Sequence, residues 1–359
     1  MPHDFMNPTL YIITCIHCNS FKQLNQEMSI IYRLSGSVFV SILLFCYPTW
    51  TQSAKCNSQD KKVLKEIEKA IAIPPYFQSW TTDSGCCEWY GVRCDEITNR
   101  VISLNIDDGT VVAGKIPDAV GDLPYLKTLI FHKCPNLKGP IPESITKLKN
   151  LTTLWFTNNN LSGPIPSFLS KLKNLDYINL SFNNFSGPIP ASLSELPKLG
   201  YLRLDRNQLT GSIPESLGNL ALQSYIIIGH NQLSGKVPQS FANADFTTLD
   251  FSKNKLEGDI SFLFGKKKTL QTADFSRNLF QFDLSKVEFS NNLIFMDLNH
   301  NKIFGSLPEG LTKLELQTFN VSYNRLCGKI PTGGRLQIYE QSAYLHNRCL
   351  CGAPLPACK

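Results

Sequence analysis

What the sequence does not contain narrows its function first. No apolar run reaches the ~18–20 residues that a bilayer-spanning helix requires. The most apolar stretch, Val38 to Tyr47, has ten residues, so a mature integral membrane protein is not expected. Charge of one sign is also scarce. Lys and Arg total 35 against 29 Asp and Glu, a net +6 spread along the chain, too weak an excess to point to nucleic acid. Catalytic signatures are missing: there is no P-loop, HExxH pair or nucleophile elbow. Cys15 and Cys18 have CxxC spacing but no second ligand pair nearby, so neither a metal nor any other cofactor is expected. Apolar residues are not lacking. At 42% they exclude a disordered chain.

What is present starts with a leader. The apolar run has the length of a signal-peptide core, with Arg33 before it and the small residues Thr51 and Ser53 after it. Residues 28–54 are read as a signal peptide starting at Met28, and residues 1–27 as an upstream extension.

From Val101 the chain repeats itself. LTTLWFTNNNLSGPIP (151–166), LDYINLSFNNFSGPIP (175–190) and LGYLRLDRNQLTGSIP (199–214) share the pattern LxxLxLxxNxLxGxIP, with a period of 23–25 residues and ten copies in all. Leu154 and Phe156 alternate with Trp155, the period of a strand with one buried face. Asn159, Asn183, Asn207, Asn231, Asn254, Asn278, Asn301 and Asn324 recur at one register, where a buried amide can satisfy backbone groups of adjoining turns. Gly-x-Ile-Pro supplies a bend, a buried aliphatic and a fixed φ. One unit cannot bury its own leucines, so units must stack.

The expected fold is therefore an α/β repeat solenoid, a right-handed leucine-rich-repeat superhelix. A parallel β-sheet would line the concave face, and 3-10 or short helices the convex face. The expected segments are an N-terminal cap over 55–100, repeats over 101–338 and a C-terminal cap over 339–359.

The cysteines segregate to the ends of the repeats. Cys56, Cys86, Cys87 and Cys94 lie before them, and Cys327, Cys349, Cys351 and Cys358 at the other end, while Cys134 stands at a ladder-Asn position. Keeping each group to its own end leaves nine connectivities of 105. Of these, Cys56–Cys86, Cys87–Cys94, Cys327–Cys349 and Cys351–Cys358 is favoured. Disulfides imply an oxidising compartment. Asn57 and Asp60 resemble a helix N-cap pair. Sequons at Asn150, Asn160, Asn179, Asn184 and Asn320 suit a secreted glycoprotein.

Taking the first strand leucine as position 0, residues at −1, +1 and +3 point out of the concave sheet. Tyr177, Tyr201 and Tyr225 occupy −1 on successive repeats, a ladder of rings suited to anchoring a protein partner. Asp250, Asp274 and Asp297 stack at +1, where like charges oppose one another. Trp155, Arg203 and Asp205 extend this surface. Arg206, His230, Lys253, Arg277 and His300 run along the rim at +4. Two readings of the acids stand side by side: compensation by the rim bases, and an acidic strip for a basic partner.

The GxIP repeats, the C…CC…C cap, LEGDISFLFG (256–265), FDLSKVEFSNNL (282–293) and the terminal NRCLCGAPLPACK (347–359) together resemble the plant polygalacturonase-inhibiting proteins, from Lys55 to Lys359. The resemblance implies no enzymatic activity. It implies a secreted, monomeric cell-wall protein of the apoplast that binds fungal endo-polygalacturonases and limits pectin cleavage. Insect enzymes are a further target class, and pectin itself is a ligand the family takes. One departure is Asn179, where the family often has an acid. The rival readings are a secreted module recognising a peptide or a receptor kinase, and an ice-binding relative. The second would want an unbroken column of Thr or Asn. Here Thr128, Thr153, Thr248, Thr272 and Thr318 at −1 are interrupted by the tyrosines.

Overall fold

The computed structural model describes residues 56–71, 77–107, 112–220 and 224–359. The signal-peptide reading, the upstream extension and the CxxC pair lie outside them. No helix among the described residues is long and apolar enough to cross a membrane.

The amphipathic helix Ser58–Ile71 opens the described chain and buries Val63, Leu64, Ile67 and Ile71. Asn57 caps it: its Oδ1 accepts from the backbone N–H of Gln59 at 3.0 Å and of Asp60 at 3.3 Å. Asp60 does something else than the sequence suggested. Its buried carboxylate takes Arg100 in two bonds, 2.9 and 2.7 Å, and the Val101 N–H at 2.9 Å, tying the helix to the first repeat strand. Trp80 stacks on Trp89 beneath this cap.

Each repeat then contributes one strand to a sheet of eleven. Val92–Cys94 starts that sheet, antiparallel to Val101–Asp107, and every later pairing is parallel. The strands bury their alternate residues, such as Leu154, Phe156, Ile178 and Leu202, in one continuous core. The opposite wall of each turn is a short 3-10 helix, for example Ser167–Lys171, whose Leu169 enters the same core.

Polar ladders run through that core. Asn207 Nδ2 donates to the carbonyls of Leu180 (3.0 Å), Leu204 (3.0 Å) and Asp205 (3.3 Å), and its Oδ1 accepts from Phe185 N–H at 3.0 Å. The residue before each ladder Asn has left-handed backbone, with φ of 51–55° from Arg206 through Lys253 to His300. That conformation costs a non-glycine residue about 1 kcal/mol, and the Asn amide holds the carbonyls on either side of it. Cys134 keeps the register without the amide. Its Sγ lies 3.8 Å from the Ile106 carbonyl and 3.4 Å from that of His132, while Asn159 Oδ1 takes its N–H.

The C-terminal cap continues the ladder with Asn347, which the repeat pattern does not mark. Its amide bonds the carbonyls of Val321 and Tyr344 and the N–H of Leu326. The bonds Cys56–Cys86 and Cys87–Cys94 close the first cap, and Cys327–Cys349 and Cys351–Cys358 the second. Cys134 is buried and takes no part in the four disulfides.

One feature was not legible as such. The Gly-x-Ile-Pro bends also pair with one another. They form a second parallel sheet of eight short strands, among them Asn160–Pro164, Asn184–Gly187 and Gln208–Gly211.

Candidate partner-binding face

The long sheet sets side chains in columns because its strands pair in register. Tyr177, Tyr201 and Tyr225 face one another across three strands. The Tyr177 and Tyr201 rings stack at 4.3 Å with planes 6° apart, and Tyr225 follows at 5.7 Å, tilted by 35°. Trp155 joins the ladder from the preceding turn at 5.8 Å. The run extends one turn further than expected. His132 lies 6.1 Å from Trp155, and both bond the Thr157 hydroxyl, His132 Nδ1 at 2.6 Å and Trp155 Nε1 at 2.7 Å. His132 was readable from its +3 register but stands apart from the tyrosines in sequence. Tyr225, at the far end, is 38% exposed, while burial pushes the Tyr177 hydroxyl up.

Arg203 and Asp205 do not act as two surface charges. Asp205 is 4% exposed and takes the Arg203 guanidinium through Nε at 2.7 Å and Nη2 at 3.4 Å. That bond raises the Arg203 pKa further above its ordinary value against the opposing effect of burial. Asp205 is thus a correction to the expected contact set. It fixes a cation beside the tyrosines and offers no carboxylate of its own.

Asp250, Asp274 and Asp297 lie in register on three adjacent strands. Each folds back on its own strand. Asp250 Oδ1 accepts from Ser252 N–H (2.9 Å) and Oγ (2.6 Å), Asp274 Oδ1 from Ser276 N–H (3.1 Å) and Oγ (2.6 Å), and Asp297 Oδ1 from Asn299 N–H (3.0 Å) and Nδ2 (2.5 Å). Gly229 leaves the space for the first of these turns, since a Cβ there would stand 2.6 Å from Asp250 Oδ1.

These bonds do not neutralise the strip. Burial pushes the Asp274 carboxyl up to about 6, with Ser276 opposing and the charges of Asp250 and Asp297 adding to the rise. Burial raises Asp297 as well, against Asn299, His300 and Arg277. Among the described residues no ion pair joins these acids to the rim bases. The rim bases act on the acids through their charge, as His300 and Arg277 do on Asp297, while the direct contacts of each carboxylate are the hydrogen bonds within its own repeat.

The rim bases line one edge of the sheet. Arg206 lies over the Phe182 ring at 4.9 Å. Burial and the charges of Arg206 and Lys253 lower the His230 pKa, and burial and Arg277 lower that of His300. The rim charge at neutral pH thus rests on Arg206, Lys253 and Arg277. His300 stacks on Tyr323 at 4.0 Å, and Tyr323 on His346 at 4.1 Å, an aromatic run the sequence reading missed.

The sequons differ in environment. Asn150, Asn160 and Asn184 are exposed, the last two on the second sheet with their carboxamides 2.5 Å apart. Asn179 is 3% exposed, with Oδ1 bonded to Ser181 N–H and Oγ. Asn320 repeats that turn with Ser322. The expectation of a glycan on Asn179 is corrected, because its amide is closed off in the fold. Both asparagines copy the turn that the three aspartates make.

Family models agree with this architecture. A leucine rich repeat N-terminal domain matches residues 57–95, and leucine rich repeats match 149–209 and 292–314. Among solved structures, a plant ice-binding protein is 54% identical with a TM-score of 0.84, covering 85% of this chain and 99% of its own. A polygalacturonase inhibitor of Pyrus communis is 58% identical over 91% of this chain and all of its own length. One of Vitis vinifera is 59% identical over 93% of this chain and, again, 100% of its own. Likeness at that level over the full length of such relatives makes the chain a member of the polygalacturonase-inhibitor family of leucine-rich-repeat proteins.

Proposed function

We propose that this protein is a secreted plant defence inhibitor that binds fungal endo-polygalacturonases through the exposed face of its long sheet and limits pectin degradation. The family is one of inhibitors, and no step of bond cleavage is assigned to this chain. The observation that carries the reading is the acidic strip. Three register-opposed carboxylates, one of them with its pKa pushed up to about 6, are held next to an aromatic ladder. Like charges opposed across a sheet are unfavourable, and an enzyme that cleaves a polyanion must present cationic groups in its cleft. Bringing such groups to Asp250, Asp274 and Asp297 relieves the repulsion and gives charge complementarity. The tyrosines, Trp155 and the clamped Arg203 supply rigid anchors of the kind that dominate interface energy.

Disulfide-closed caps support secretion into an oxidising space such as the apoplast or cell wall. Asn150, Asn160 and Asn184 are the sequons placed to carry glycans. The rim cations are suited to polygalacturonate. The protein acts as a monomer in this reading.

The likeness to an ice-binding protein raises a second reading, but the outward −1 column here changes from threonine to three tyrosines, which breaks any uniform lattice on that face. The test is reducing-sugar release from polygalacturonate by a panel of fungal endo-polygalacturonases, with and without the secreted protein. Inhibition of at least one enzyme is expected. Release unchanged across the panel by a folded protein would move the assignment to recognition of a peptide or receptor.

A further inference from the structure

A second recognition site lies away from that face, where the repeat loses its glycine. The second sheet turns at a glycine with left-handed backbone in repeat after repeat, including Gly211, Gly235 and Gly258, and Gly305 has the same backbone one repeat beyond the sheet's end. At the equivalent place between Gly258 and Gly305 the chain has Phe282, which is buried and is not among the left-handed residues. The sheet of eight ends there, at Leu279–Phe280. The next strand, Phe304–Gly305, belongs to another sheet and meets the preceding turn at an isolated bridge between Asp283 and Phe304. Gly305 permits that bridge to close, since a Cβ on it would fall 2.1 Å from Asp283 Oδ1.

The break opens a cavity of about 580 Å³, within the ~300–1,000 Å³ of small-ligand sites. Leu279 and Phe304 stand in its wall 40% and 41% exposed. Around them are Lys236, Lys286 and Lys302, and against these Glu257, Asp259 and Asp283. Only Lys286 and Asp283 pair directly, at 3.4 Å.

We infer that this cavity binds a neutral saccharide. Three ammonium groups and three carboxylates offset one another, so a polyuronate gains no net field here, unlike at the rim of Arg206, Lys253 and Arg277. Sugar hydroxyls donate and accept at once, and a wall that holds both ammonium donors and carboxylate acceptors serves both roles. Phe304 offers an apolar ring face for the C–H side of a pyranose. An added peptide strand is disfavoured because the backbone at the break is already used. Gln281 N–H bonds Gly258 O at 2.9 Å, Lys302 N–H bonds Phe280 O at 2.9 Å, and Phe304 N–H bonds Phe282 O at 3.1 Å. The site is separate from the long-sheet face and stands whether or not the protein inhibits a polygalacturonase.

Saturation-transfer NMR and calorimetric titration of the secreted protein test it. The probes are neutral galacto-, arabino- and xyloglucan oligosaccharides, an N-glycopeptide, an oligogalacturonate and a short peptide of mixed charge. At least one neutral oligosaccharide or the glycopeptide is expected to bind, and which of the two distinguishes a wall polymer from a glycoprotein glycan as the source. Phe304→Ala and Glu257→Gln, both on exposed side chains, are each expected to weaken that binding about tenfold and to leave polygalacturonase inhibition unchanged. No transfer to any neutral sugar, equal binding by wild type and both variants, or Phe304-dependent binding of the peptide alone would each overturn the assignment.

Discussion

The aromatic and acidic halves of the long-sheet face are built by the same rule and have opposite energetics. In-register parallel strands stack like on like. Where the residue is tyrosine, neighbours support each other, as the 4.3 Å stack of Tyr177 on Tyr201 shows. Where it is aspartate, neighbours repel, and the Asp274 carboxyl rises to about 6. The aromatic half even contains its own charge, since Asp205 is spent on Arg203. A fold selected for stability alone would not keep the acidic half, and the asparagines at the same position in two other repeats make the same turn without the charge. The acidic half is therefore best understood through a partner.

That contrast can be broken from several sides. The largest expected effect is on the clamp. Asp205→Ala leaves the Arg203 guanidinium without its partner and should cost about 2–3 kcal/mol in chemical unfolding, because this charge is structural. Tyr201→Ala removes the middle ring of the stack. It should cost about 1–2 kcal/mol of stability and weaken inhibition by on the order of 2 kcal/mol, measured as a shift in inhibition constant.

Asp274→Asn should go the other way on stability. The folded carboxyl titrates near 6 against ~3.9 unfolded, so the native state binds more protons in that window. The contribution of this carboxyl to wild-type stability should be fully present below about pH 4 and be lost as pH rises through about 6. The variant should gain about 1–2 kcal/mol at pH 7, discounted for partial solvent screening, and nothing at pH 4. The smallest effect is on the pH dependence of inhibition. Protonating Asp274 below pH 6 should weaken inhibition several-fold relative to pH 7, after correction for the target enzyme's own pH profile.

Much of this was legible in the residues. The period, the Asn register and the Gly-x-Ile-Pro element fix the solenoid, because no other fold needs those residues at that spacing. The columns followed from strand alternation alone. What stayed hidden depends on side chains choosing among partners that the register does not name. Asp205 sits at an outward position, yet a neighbouring guanidinium draws it in. Asn179 reads as a sequon, yet Ser181 closes it off. Asp60 reads as a cap partner, yet Arg100 takes it. Asn347 continues the ladder from within a cap whose sequence has no repeat pattern. The cavity beside Phe304 was equally silent, since one glycine replaced by Phe282 looks like repeat decay until the second sheet is seen to stop there.

On this reading the acidic strip is held at a cost to stability for the sake of a cationic partner. Asp250→Asn/Asp274→Asn tests it most directly, with unfolding free energy at pH 7 and the inhibition constant against a susceptible polygalacturonase measured on the same preparation. The expected variant is more stable and inhibits at least tenfold less well. A variant that is no more stable, or that inhibits as strongly as the wild type, would contradict it.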